Sequence, residues 1–220
     1  MKNLLLGATA LAASAFTIIQ PANAALIASF SQDASGATVV ATDNGTTTNI
    51  GVTNASTTVS SFNGGVLGTA IFNLNATSND AAVQVGGAVI QHYDGGFCFT
   101  SAAGCTGTNY LSGVFSDAAF GALGGPGLVV NVNNPPDTLT LTSDVIDASD
   151  LAAPNSFSLS FADLSPLLHI NGTTIAGFSA GFAGTVSAST TETPVPEPMT
   201  LGLFGLGLLG LGLVRSRKAS

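Results

Sequence analysis

Few side chains in this chain could do chemistry. Asp144, Asp147 and Asp150 recur every third residue. That spacing sets three carboxylates on one side of a short helix, or lets a loop converge them on Ca²⁺, which takes oxygen ligands. The alternating Asp-x-Asp-x-Asp loop with its glycine is absent, so a solvated acidic loop is the competing reading. His92-Tyr93-Asp94 puts an imidazole beside a carboxylate, yet acid–base groups meet in space rather than along the chain. His169, in Leu167-Leu168-His169-Ile170, alternates within an apolar stretch and reads as a strand-edge or core residue. Gly-x-Ser-x-Gly is missing. A pair of Asp acting as a glycosidase dyad stays open, because carboxylate separation is invisible in sequence. These residues point to a non-catalytic protein, with a secreted hydrolase as the minor alternative.

Cys98 and Cys105 are the chain's two cysteines. A zinc site would need two further ligands, and only His92 is near. In an exported chain two such cysteines pair, closing a small loop.

The elements that would position these groups read as strands. Thr138–Thr142 and Ser156–Phe161 alternate polar and apolar side chains, as a sheet with one wet face requires. Further candidates are 26–30, 37–42, 49–53, 57–62, 66–74, 82–91, 110–115, 127–132 and 173–187. Turn signals such as Asn44-Gly45, Asn63-Gly64-Gly65 and Asn171-Gly172 separate them. Many short strands predict an all-β fold, a single jelly-roll-like β-sandwich. A parallel β-solenoid is the alternative, but no fixed period is present. Asp144–Ala153 is the one stretch of this region with a helical pattern, enough for one turn or two, capped by Ser143 and ended before Pro154. The sandwich is expected over residues 25–184, with a Ser/Thr/Pro spacer over 185–194.

Both ends carry addresses. Lys2 precedes an apolar Leu4–Ile19, and Pro21-Ala22-Asn23-Ala24 ends in the small-x-small pattern that signal peptidase reads. Residues 1–24 are therefore a signal peptide for the Sec export machinery, with cleavage between Ala24 and Ala25. At the other end Val195-Pro196-Glu197-Pro198 precedes an uncharged run, Met199–Val214, and then Arg215, Arg217 and Lys218. A helix over that run would be about 24 Å long, short for a hydrocarbon core of roughly 30 Å. The basic tail stays cytoplasmic under the positive-inside rule, leaving the rest of the chain outside.

Val195, Pro196, Glu197, Pro198 and Thr200, the Gly/Leu-rich span and the Arg/Lys tail together resemble the PEP-CTERM sorting signal of exopolysaccharide-producing Gram-negative bacteria. The resemblance covers residues 195–220. It implies a membrane helix over 199–214, a cytoplasmic tail over 215–220, and handling by an exosortase, a membrane-embedded cysteine protease or transpeptidase.

Lys2, Arg215, Arg217 and Lys218 are the only basic residues of the sequence, so the exported part holds twelve carboxylates and no Lys or Arg. Nucleic acid is excluded as a partner, since neutralising phosphates needs cations. Anionic membrane surfaces are disfavoured for the same reason. Sugar platforms are not advertised either: there is no Trp, and the only tyrosines are Tyr93 and Tyr110. The expectation is an exported protein, held transiently at the inner membrane with its ectodomain in the periplasm. It then reaches the cell surface or extracellular matrix, with a structural or adhesive role in exopolysaccharide or biofilm. A carbohydrate-binding module is the alternative, and Ca²⁺ is the only cofactor considered.

Overall fold

Period-two alternation puts apolar side chains on one face of an extended chain, and a sheet that curls until its edges meet buries that face without leaving open edges. The computed structural model describes residues 24–36, 38–85, 88–121, 127–131 and 135–189. Its strands are β1 (Ala24–Gln32), β2 (Val39–Asp43), β3 (Thr48–Phe62), β4 (Gly68–Ser78), β5 (Val83–Val85), β6 (Ala88–Ala102) and β7 (Thr106–Phe120). After these come β8 (Gly127–Asn131), β9 (Thr138–Thr142), β10 (Ala152–Ser165), β11 (Ile170–Asn171), β12 (Thr174–Ile175) and β13 (Phe178–Ser189). A turn of 3-10 helix, Ala148–Leu151, precedes β10.

The strands pair as β6-β4-β3-β1-β13-β10-β8-β7, and β7 returns to β6. This is a closed, eight-stranded antiparallel barrel. It corrects the expected jelly-roll-like sandwich. A jelly roll sends consecutive strands across two sheets, whereas here successive wall strands are neighbours and the last, β13, pairs with the first, β1. Two wall positions are interrupted strands. β1 and β2 lie in line between β13 and β3, with residues 33–36 looping out after β1. β8 and β9 lie in line along β7 in the same way. Thr185–Ser187, where the expected strand and spacer overlap, and Ala188–Ser189, expected in the spacer alone, complete β13 against β1 and β10.

At eight strands a barrel interior is just wide enough for side chains to fill it. Here phenylalanines do so. Phe97 stacks on Phe157 with ring centres 4.3 Å apart, and Phe72 stacks on Phe99 at 4.6 Å. Phe30, Phe115, Phe120, Phe161, Phe178 and Phe182 join them in one buried cluster. Each buried ring contributes roughly 1.5–3 kcal/mol.

Segments at each end close the barrel. At the end where β1 begins and β13 finishes, the β9–β10 connection turns Ile146 and Leu151 inward, 5% and 6% exposed. At the far end the β11–β12 hairpin inserts Thr174 and Ile175, both fully buried. Among the described residues no helix is long and apolar enough to cross a membrane. The expected membrane helix, 199–214, lies outside them, as does the signal peptide up to Asn23.

Candidate functional site

The far-end hairpin is tied down by polar side chains. Asp43 closes the β2 end: its carboxylate accepts from the Gly45 amide at 3.1 Å, Asn171 Nδ2 at 2.7 Å and the Gly177 amide at 2.8 Å. The Gly177 amide first, and then the Asn171 side chain, hold its carboxyl below the ordinary carboxylate range. Beneath it, Gln91 Oε1 accepts from Tyr93 Oη at 3.0 Å and from the Ile175 amide at 3.0 Å, while Thr48 Oγ1 donates to the Ile175 carbonyl at 2.8 Å. Burial pushes the Tyr93 phenol well above its usual range. Asp43 and Gln91 went unnoticed in the sequence. The adjacent Asn44-Gly45 turn was the available signal, since Asx side chains bond backbone amides just ahead of them. His169, expected in a strand or core, is exposed beside this hairpin, its Nδ1 3.0 Å from the Leu167 carbonyl oxygen. Its stretch lies outside the barrel wall: Leu168 packs against the core while Leu167 and His169 face outward.

Asp144, Asp147 and Asp150 lie in the cap at the opposite end, beside the barrel's two chain ends. Asp144 clasps Asn109: its Oδ2 accepts the Asn109 amide at 2.7 Å and its own amide donates to the Asn109 carbonyl at 2.8 Å. Ser143 Oγ caps the turn by accepting from the Val145 and Ile146 amides, both at 3.0 Å. The helix is shorter than the expected Asp144–Ala153, and Ala152, Ala153 and Pro154 already belong to β10. Among the described residues no three His, Cys, Asp or Glu side chains come together as a metal group. The three carboxylates are not gathered into one group, as the solvated-loop reading of their spacing expects. One of them is used as a loop clasp instead.

On the outer wall His92 Nδ1 lies 3.0 Å from Asp117 Oδ1, and Asp94 Oδ1 accepts the Asp117 amide at 3.0 Å. Asp117 has a φ of 61° where the β6–β7 register shifts, so the bonds pin a bulge. The imidazole meets a carboxylate, as its sequence neighbourhood hinted, but the partner is Asp117 across the ladder. Tyr93, between His92 and Asp94, points into the core and takes no part.

Cys98 and Cys105 form the expected disulfide, with Cα atoms 5.9 Å apart. It folds the β6–β7 hairpin tip back over the outer wall, where Asn54 Oδ1 accepts the Gly104 amide at 2.7 Å. Asn54 sits at φ 50° in a bulge of β3, and its amide donates to Asn73 Oδ1 at 2.8 Å. The folded tip borders a shallow groove of about 440 Å³ crossing β3, β4, β6 and β7. Thr53, Asn73, Asn75, Ser112 and Val114 line it, with the backbone of Gly96 and Gly113 and the disulfide. Among its lining residues none is charged. Asn73 Nδ2 is buried there without a hydrogen-bond partner. In the sequence these residues were an undistinguished part of a polar strand, because only the register aligns Asn73 with Cys98 and Ser112, and Asn75 with Gly96 and Val114.

Ala24 and Ala25, flanking the expected signal cleavage, are the first residues of β1 and pair with Ser189 and Ala188. Ala22 lies outside the described residues, as do Val195, Pro196, Glu197, Pro198, Thr200, Arg215, Arg217 and Lys218. No curated protein and no solved structure matches the chain. A family model does match its C-terminal part. Residues 194–218 fit the PEP-CTERM protein-sorting motif, so the chain is an exported protein carrying a C-terminal signal for sorting by exosortase.

Proposed function

We propose that the barrel is a non-catalytic surface or matrix protein, released after signal-peptide removal and exosortase processing to act as a structural or adhesive component among extracellular polysaccharide. The sorting motif at residues 194–218 is the observation that carries this reading. The barrel's architecture supports it. Phenylalanines occupy the interior and each end is covered, so contact with partners falls to a hydroxyl-rich outer wall that carries carboxylates but no Lys or Arg among the described residues. Catalytic pockets, by contrast, are clefts with converging polar groups of perturbed acidity. The His92–Asp117 pair lies on the wall as a bulge pin rather than in such a cleft.

Fractionating a producing culture into cells, matrix and medium, with intact-mass measurement of the protein, tests this directly. The expected product starts at Ala25, contains the disulfide and lacks residues 199–220. Recovery of the uncut precursor in the membrane as the end state would overturn the reading.

A further inference from the structure

We propose that the outer-wall groove binds a strand of neutral polysaccharide. The proposal rests on the matrix role above and gives that role a ligand class and a place. Asn73 and Asn75 are successive outward positions of β4, so they stand about 6.6–6.8 Å apart along the strand, wide enough to bracket one sugar ring. An amide offers both donor and acceptor, which suits hydroxyls that need both. Ser112 and Thr53 extend the polar edge. Val114, 69% exposed, and the Cys98–Cys105 bridge supply an apolar surface for the C–H face of a sugar.

Two observations separate this groove from ordinary polar wall. First, its border is built: a disulfide and the Gly104–Asn54 bond hold the hairpin tip against the sheet. Second, Asn73 uses only one end of its amide. Oδ1 accepts from Asn54, while Nδ2 is shielded from water and has no acceptor. Buried polar groups are normally paired, and a small outward turn of the Asn73 side chain as a ligand enters would bring Nδ2 from its shielded position to a ligand hydroxyl.

Charge selects the ligand. The groove lining carries no charge, and among the described residues there is no Lys or Arg to meet a uronate, sulfate or phosphate. The carboxylates elsewhere on the barrel repel such polymers at longer range.

Affinity electrophoresis of the exported, disulfide-intact protein through gels containing dextran, xylan or alginate tests the proposal. Retardation by at least one neutral polymer and none by the polyuronate is expected. Asn75→Ala, at an exposed position, and Asn73→Ala should each weaken binding about fivefold, the factor for one lost hydrogen bond. Val114→Glu should weaken it in the same direction, and Ser160→Ala on the opposite wall should leave it unchanged. No retardation by either neutral polymer, equal retardation by alginate, or full binding by Asn75→Ala and Val114→Glu would overturn the groove. Protein found in the matrix without such binding removes the groove alone. Protein absent from the cell exterior removes the matrix role itself.

Discussion

Single side chains do most of their work here as pins. Asp43 holds the far-end hairpin through two backbone amides and Asn171, and its depressed pKa makes that hold pH-dependent. Asp33 does the same for the loop between β1 and β2, its carboxyl lowered chiefly by hydroxyl bonds from Ser56 and then Thr58. A carboxylate with a folded pKa below its unfolded one contributes stability above the unfolded value and loses it as pH falls through the folded value. Melting temperature should therefore hold from neutral pH to about 5 and drop below about pH 4. In Asp43→Asn the neutral melting temperature should be lower and the acid drop shallower, as circular dichroism melts would show. An identical acid drop would assign the effect to other carboxylates. Glycine acts by its absence of bulk. A Cβ on Gly184 would come within 2.5 Å of the Ser158 carbonyl oxygen and of the Phe30 ring. Gly184→Ala should cost about 1–3 kcal/mol, roughly 2–4 °C of melting temperature per kcal/mol for a domain this size.

The element with most leverage is the β6–β7 hairpin. Its disulfide spans a sequence separation of 7, and closing so small a loop contributes about 2–3 kcal/mol. Reduction should lower the melting temperature and speed amide exchange at Gly104, whose partner is Asn54, while β13 amides stay protected. Uniformly faster exchange throughout the barrel would mean that the bridge supports the whole wall instead. The cysteine pair was legible in the sequence, but the strand around it was not. The expected strand 82–91 stops short of Asp94-Gly95-Gly96, where the apolar alternation is interrupted, yet these residues lie inside β6. Gly95 is needed there because a Cβ would fall 2.1 Å from the Asn75 carbonyl oxygen. Thr138–Thr142, by contrast, was legible residue for residue, since its inward Leu139 and Leu141 alternate without a bulge. The groove was not legible at all, because it exists only through cross-strand register and a folded-back tip.

At the scale of the molecule, alternation identifies strands but cannot say whether the sheet splits into two layers or closes on itself. The deciding contact is Ala25 with Ala188, near opposite ends of the barrel's chain, and no local pattern encodes it. That contact also places both barrel termini together. A circular permutant joining them by a short Gly/Ser linker and opened at Gly64–Gly65 should melt cooperatively with the disulfide intact, since loop tips tolerate new ends. A broad, non-cooperative transition would contradict closure. Charge gives the last test. Under the proposed processing Lys2 is lost with the signal peptide and Arg215, Arg217 and Lys218 with the tail, so the released protein would hold no Lys or Arg. Its resistance to trypsin should therefore owe nothing to folding. Denatured, reduced and alkylated, the exported product should stay at full mass under trypsin, while thermolysin, which cuts at apolar residues, degrades it. The uncut precursor should lose its basic tail to trypsin under the same conditions. A tryptic fragment from the exported product would show that a basic residue survives processing, and would move one of the two cleavage boundaries.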